Sequence, residues 1–434
     1  MPYLVHADPD RSAMLDALGA RSVDDLLVDV PASLRLSALD LADGISEMDT
    51  IREVGRLAER NQVYPDRLTF RGAGVYRRYV PAAVRAVTQK PEFYTAYTPY
   101  QPEASQGTLQ AIFEYQTLIA ELTGLDVSNA SLYDGATASA EAVIMACHAT
   151  GRRRVVVAPG LHPEYLDVLR CYGGGRGFTV DERMQDLGPD VAAVLFQHPD
   201  CLGRLPDPGH LVDRAHAVGA LAVACVDPIS LALLAPPGEY GADVAVGEGQ
   251  QLGLELSYGG PHLGFIATTE ALTRRLPGRL VGEGHDAEGR RGYVLTLTAR
   301  EQHIRRARAT SNICTNHSLC ALAASVYLTY LGPDGLRQIA DVSFQRAHHL
   351  AERIAALPGF ELLDAEAPFL HEFAVRARDA DLVLRKAAEH GILAGFPLRR
   401  WYPDDTNLRD ALLFCCTEVN DPAALDTLVE VLAA

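Results

Sequence analysis

Between about Arg67 and Thr310 the chain alternates short apolar runs with longer mixed stretches. The runs are "RVVVA" (154–158), "VAAVLFQ" (191–197), "LAVACVD" (221–227), "DVAVG" (243–247) and "LGFIAT" (263–268). A half-buried strand alternates apolar and polar positions, so nearly continuous apolar runs of this length predict strands covered on both faces. Amphipathic segments such as "PEYLDVLRCY" and "PGHLVDRAHAVG" lie between several of them. The pattern predicts a three-layer α/β/α domain on a mostly parallel sheet, with ligands expected at the strand C-termini.

The first sixty residues read as helices instead. Asp8-Pro9 suits an N-cap followed by proline, and "DRSAMLDALG" ends at Gly19, a C-cap signal. Ser22 opens "SVDDLLVDVP", with acids in the first turn and a stop at Pro31. An arm of this kind is suited to wrapping a neighbouring subunit. After the helical "HSLCALAASVYLTYLG", strands near "EFAVRA" (372–377) and "ALLFCCTE" (411–418) predict a smaller α+β domain. The expected divisions are a helical arm (1–66), a large domain (67–325) and a small C-terminal domain (326–434).

Composition narrows the partners. The formal charge of −17 disfavours nucleic acid, and no uninterrupted apolar run reaches membrane-spanning length. The N-terminus lacks the basic and apolar regions of a secretory signal, and the eight scattered cysteines contain no C-x-x-C, so reduced buried thiols in a cytoplasmic protein are expected. Of 39 lysines and arginines only Lys90 and Lys386 are lysines, which leaves 37 arginines. That imbalance has a chemical consequence.

Several stretches carry candidate chemistry. Asp134-Gly135-Ala136-Thr137 enters a long apolar-faced helix, whose free N–H groups and dipole suit an anion; an ordinary capped helix start is the plainer alternative. Asp227 ends a buried strand, where a carboxylate can face a ligand; a simple Asp-Pro turn is the plainer alternative. "FQHPDCLG" (196–203) is likewise a strand-end turn, with His198 a hydrogen-bonded loop residue. "GEGQQLGLELSYGGPHLGF" (247–265) holds six glycines in nineteen residues and predicts close backbone approach. Arg300, Arg305, Arg306 and Arg308 form a basic run that reads as a solvated helix face or as a receiver for a phosphate or an acidic partner. No G-x-G-x-x-G follows a strand, and neither G-x-S-x-G nor a P-loop is present.

The segment "YTAYTPYQPEASQG" (94–107) packs three tyrosines and two prolines into a stretch too broken for a helix and too irregular for a strand. Extended to "FYTAYTPYQPEASQGTLQAIFEYQTLIAELTGLDVSNASLYDGATASAEA", it resembles the signature of the P-protein of the glycine cleavage system, the decarboxylating glycine dehydrogenase family. The resemblance continues through "HPEY" (162–165), "ADVAVGEGQQLGLELSYGGPHLGF", "LPGRLVGE", "GRRGYVLTLTAREQHIRRARATSNICTN" and "CCTE", and covers essentially the whole chain. Two places depart from it: Gln197-His198-Pro199-Asp200 replaces the common Gln-Asn-Pro-Asn, and Leu370-His371-Glu372-Phe373 replaces Phe-Asn-Glu-Phe.

The resemblance implies a fold-type-I pyridoxal-phosphate transferase architecture. The length matches the α chain of the family's two-chain form, paired with a homologous β chain as α2β2. The implied reaction is glycine decarboxylation, with transfer of the aminomethyl group to the lipoyl-lysine of H-protein and release of carbon dioxide. Pyridoxal phosphate is held through a Schiff base by lysine, and arginine cannot replace it because it does not deprotonate. In the β chain that lysine precedes a Gly-Gly-Pro by about a dozen residues; Gln250 and Gln251 stand near that position here, and neither Lys90 nor Lys386 does. The resemblance therefore implies a vestigial site of Asp134, Gly135, Thr137, Asp227, Gln250 and Gln251, with the cofactor carried by the β chain. Tyr97, Thr98, Tyr100, Gln101 and Glu103 are implied to face that cofactor. The alternatives are a non-catalytic subunit that stabilises the β chain, or a self-sufficient decarboxylase of another substrate, against which the missing lysine argues.

Overall fold

The computed structural model describes residues 5–36, 38–61 and 68–434. Internal contacts divide the chain into two units, Met1–Gln62 and Val63–Ala434. The first unit holds helices α1 (Asp8–Leu18) and α2 (Glu47–Ala58). Helix α1 starts at the residue expected to cap it: Ala7 is the N-cap, and its N–H donates to Asp10 at 3.0 Å. It closes at Gly19, whose φ of +67° is left-handed backbone that suits glycine. Ser22 caps as expected, but the turn it opens is a short 3₁₀ helix, Val23–Leu27.

The second unit is built on a sheet of β1 (Val127–Ser128), β2 (Arg154–Val157), β3 (Thr179–Asp181), β4 (Val191–His198), β5 (Leu221–Val226), β6 (Val244–Glu248) and β7 (Gly264–Thr268). Their spatial order is β1-β7-β6-β5-β4-β2-β3. The pairs from β3 across to β6 are parallel, with Val194 opposite Ala222 and Ala224 opposite Ala245. Strand β7 runs antiparallel to β6, and β1 antiparallel to β7. The sheet is mostly parallel, and every run read as a strand is one.

Side chains alternate between two cores, as the pleat requires. Val156, Val194, Phe196 and Ala224 pack with Tyr115 and Ile119 of α3 (Gln106–Thr123) and Tyr327 of the long helix Ser318–Ala355. Val155, Leu195 and Val223 pack on the other side with Val143 and Met145 of α4 (Gly135–Thr150) and Leu169 of α5 (Pro163–Arg176). This two-sided cover explains the unbroken apolar runs. The long helix is interrupted where Gly332 adopts φ +61° and ψ −177°, next to Pro333. The expected 325/326 boundary falls inside it, ahead of the break, while the 66/67 boundary lies outside the described residues.

Beyond it a four-stranded antiparallel sheet pairs Phe360–Leu362, Glu372–Ala377, Ala411–Cys415 and Phe396–Pro397 in that order. Phe373, Phe414, Leu350 and Leu428 fill its core. Among the described residues no helix is long and apolar enough to cross a membrane. All eight cysteines are free thiols, but Cys171 and Cys314 are exposed, so the expectation of uniformly buried thiols is corrected at those two.

Candidate functional site

The C-terminal ends of β5 and β6 meet the start of α4, where a type-I cofactor frame is expected. Asp134 caps α4: its Oδ1 accepts from the Thr137 N–H at 2.7 Å, and Thr137 Oγ1 accepts from the Asp134 N–H at 3.2 Å. The first helical N–H, that of Gly135, donates instead to Glu248 Oε2 at 3.0 Å. Glu248 Oε1 accepts from Gln250 N–H at 2.9 Å and Leu263 N–H at 3.0 Å. The helix start thus holds an anion, as its dipole favours, and the anion is a side chain of the protein. His262 Nδ1 lies 3.4 Å from the same carboxylate, and that contact raises the imidazole above its ordinary pKa.

Asp227 is equally occupied. Its Oδ1 accepts from Gln251 Nε2 and from Ile229 N–H, both at 2.8 Å. Oδ2 makes no hydrogen bond among the described residues and faces His371 Nε2 at 3.4 Å. Gln251 Oε1 accepts from Arg78 Nε at 3.0 Å, and Arg78 Nη1 reaches Ser343 Oγ and Glu418 Oε2, both at 2.8 Å. Gln250 Oε1 accepts from the Tyr76 N–H at 3.0 Å, and its amide donates to Leu254 O at 2.8 Å. Glu372 accepts from Ala73 N–H at 2.7 Å and from Tyr76 Oη at 2.6 Å. Burial pushes Glu372 up to about 7 and His371 down to about 4. The glycine-rich stretch approaches the chain itself: a Cβ on Gly264 would lie 2.4 Å from Asp134 O.

These residues do not fit pyridoxal phosphate. The space left among Tyr76, Gln197, Asp200, Asp227, His371 and Glu372 is about 20 Å³, room for a water rather than for a ligand needing roughly 300 Å³ or more. The helix start is taken by Glu248, Asp227 by Gln251, and both glutamines are bonded at each end of their amides. Lys90 is exposed before the Pro91–Tyr94 turn, and Lys386 lies on the helix Ala380–Glu389. Neither is among the strand-end residues.

The tyrosine segment is the opposite kind of region. Tyr97 is 78% and Tyr100 52% exposed; Gln101 and Glu103 are exposed, Thr98 is half-buried, and Pro99 is buried. Buried Arg279 donates to Tyr100 Oη at 3.2 Å through Nη2 and to Asn316 Oδ1 at 3.3 Å through Nη1. Because guanidinium only donates, the Tyr100 oxygen accepts from it and keeps its own proton for another acceptor. Gln106 pins the end of the segment, accepting from Tyr293 N–H at 2.8 Å and donating to Pro102 O at 2.8 Å. The arginine run is not a helix face. Short turns break it, Arg305, Arg306 and Arg308 are exposed, and Arg300 is half-buried, its Nε and Nη2 without a hydrogen-bond partner among the described residues.

Residues 1–432 match the family model of the glycine cleavage system P-protein. The chain belongs to that family. It is 48% identical to a probable glycine dehydrogenase (decarboxylating) subunit 1 from Moorella thermoacetica, over 99% of this chain and 98% of that one. It is 46% identical to the protein of the same description from Thermotoga maritima, over 99% of each. A crystal structure of glycine decarboxylase (P-protein) of the glycine cleavage system, in inhibitor-bound form, superposes with a TM-score of 0.90 at 46% identity, over 100% of this chain and 99% of that one. A sphingosine-1-phosphate lyase from Burkholderia pseudomallei, at 14% identity and TM-score 0.63 over 93% of each chain, shares the fold alone. The fold class is therefore that of fold-type-I pyridoxal-phosphate enzymes.

Within this P-protein frame, Asp134, Gly135, Thr137, Asp227, Gln250 and Gln251 do gather at the strand ends. Sequence reasoning missed the residues that fill the frame: Tyr76, Arg78, Glu248 and Glu418, with His371 noticed only as a departure from the family pattern and Glu372 only as its unchanged neighbour. Of these only Glu248 carries a local signal, as the acid of "GEGQ" just before the two glutamines near the missing lysine's position. Tyr76 and Arg78 arrive from about 170 residues or more away, which no local pattern signals.

Proposed function

We propose that this chain is subunit 1, the α subunit, of a decarboxylating glycine dehydrogenase, and that it completes a site whose pyridoxal phosphate is held by a homologous β subunit. The observation that carries this reading is the coexistence of the P-protein fold with a strand-end site that has no lysine and no room. Bound on the partner, pyridoxal phosphate supplies the electron sink for glycine decarboxylation, ahead of aminomethyl transfer to the lipoyl-lysine of H-protein.

In this reading the α chain contributes the exposed Tyr97, Thr98, Tyr100, Gln101 and Glu103. The prolines hold these groups at low entropic cost, and Arg279 holds the Tyr100 oxygen while leaving its proton free for another acceptor. Fixed donors of this kind stabilise charge developing on a substrate without reorganising. The assembly is α2β2, a cytoplasmic enzyme that takes glycine and a lipoylated carrier protein, with divisions near 66 and 325. The largely exposed Tyr97, whose hydroxyl has no partner among the described residues, favours a second reading at that one residue, a subunit contact without chemistry.

Exchange of labelled carbon dioxide into glycine, in the presence of the carrier protein, is the test. Neither chain alone is expected to catalyse it, and the mixed chains are. Exchange by this chain alone with added pyridoxal phosphate would overturn the reading.

A further inference from the structure

Glu248 is a second anion at a helix start that already has its cap. Asp134 serves Thr137 N–H in the ordinary local manner. The Gly135 N–H goes to a carboxylate 113 residues away. That carboxylate also gathers the N–H groups of Gln250 and Leu263, one leaving β6 and one entering β7. Three backbone donors from three segments, with the His262 imidazole 3.4 Å away, make a receptor for a tetrahedral anion rather than a cap. The first helical residue is also covered: a Cβ on Gly135 would lie 2.3 Å from Tyr165 Oη.

We propose that the strand-end site of this chain is closed by an internal anion: the Glu248 carboxylate takes the place a phosphate would have at the start of α4, and its removal opens a receptor for phosphate-class anions. Two negative carboxylates at one helix start repel, so the arrangement persists because the N–H groups, the dipole and His262 together stabilise the second charge. The chain has kept the anion receptor of a cofactor fold and satisfied it from within. Its closed frame serves as scaffold, and no phosphorylated ligand enters. This inference stands apart from the chain's part in glycine chemistry.

The test uses the full-length chain with Glu248→Ala and Glu248→Gln, unfolded in increasing inorganic phosphate and in chloride of matched ionic strength. Phosphate stabilises folded proteins generally, so the wild type sets that baseline. Glu248→Ala is expected to unfold at lower denaturant and to regain stability with the logarithm of phosphate concentration, as a bound ligand does. Glu248→Gln keeps the volume but loses the charge and turns an amide towards N–H donors. It is expected to be less stable than wild type and no more phosphate-responsive. The raised titration of His262, followed by NMR, is expected to fall in Glu248→Gln. A wild-type response equal to that of Glu248→Ala would overturn the proposal. So would a Glu248→Gln variant as stable as wild type with His262 unmoved, which also decides the matter where Glu248→Ala does not fold.

Discussion

The strand-end frame and the tyrosine segment put polar side chains to opposite uses. At the strand ends Asp227, Gln250, Gln251, Glu248 and Glu372 are bonded to one another and to their neighbours, and the cavity beside Asp227 and Glu372 is about 20 Å³. In the segment around Tyr97 and Tyr100 the groups with the best hydrogen-bonding chemistry are exposed, and the bonds beneath them serve to hold the backbone. A family fold does not reveal which of its surfaces works. Satisfied, buried polar groups rigidify a frame, whereas fixed, unsatisfied and exposed ones are available to a partner.

The largest expected effect sharpens that contrast within the segment itself. In the assembled complex, Tyr100→Phe removes the hydroxyl that Arg279 orients, and kcat is expected to fall about 10²–10³-fold, as for a donor aimed at developing charge. Tyr97→Phe removes a hydroxyl with no partner among the described residues and is expected to cost less than about tenfold. Gel filtration must first establish that each complex is intact. Equal, near-normal exchange rates for both variants would make the segment architectural.

The buried frame is expected to answer to pH rather than to substrate. His371 sits at about 4 because burial disfavours its charge; Asp227 and Glu418 oppose that shift, while the Arg78 guanidinium adds to it. The folded state therefore binds fewer protons at this site, and stability is lost as pH falls from about 6.5 to about 4. Glu372 sits at about 7 because burial disfavours its carboxylate, with Tyr76, Asp227 and Asp200 around it. Here the folded state binds more protons, so stability is lost as pH rises from about 4.5 to about 7. The two slopes oppose each other in the wild type, and each amounts to about 3 kcal/mol. His371→Gln should expose the loss with rising pH, and Glu372→Gln the loss with falling pH, in denaturant midpoints across that range. Two variants with parallel pH curves would contradict the frame's electrostatics.

The smallest effect concerns the exposed arginines. Reversing Arg305, Arg306 and Arg308 to glutamate is expected to raise the KM for the lipoylated carrier several-fold at low salt, with the difference shrinking as salt screens it. Arg300 is left out because it is half-buried. An unchanged KM at low salt in a folded variant removes the steering role.

Fold and site differ in how far the chain discloses them. Strands β2, β4, β5, β6 and β7 are legible because cover on both faces leaves uninterrupted apolar runs. The edge strands Val127–Ser128 and Thr179–Asp181 are two and three residues long, too short for any period. The positions of Asp134, Thr137, Asp227 and the two glutamines follow from their places at strand and helix ends. What surrounds them does not. The Tyr76–Glu372 bond joins residues 296 apart, and Arg78 meets Glu418 across 340. The burial of Arg300 was equally hidden, since a basic run in sequence carries no sign of which guanidinium turns inward.

The central claim is that this chain keeps the cofactor fold and leaves the cofactor to its partner. Borohydride reduction of the assembled complex with pyridoxal phosphate, followed by peptide mapping, tests it most directly. The account predicts a stoichiometric pyridoxyl-lysine on the partner chain and none on Lys90 or Lys386. A stoichiometric adduct on either of those lysines, dependent on the native fold, would contradict it.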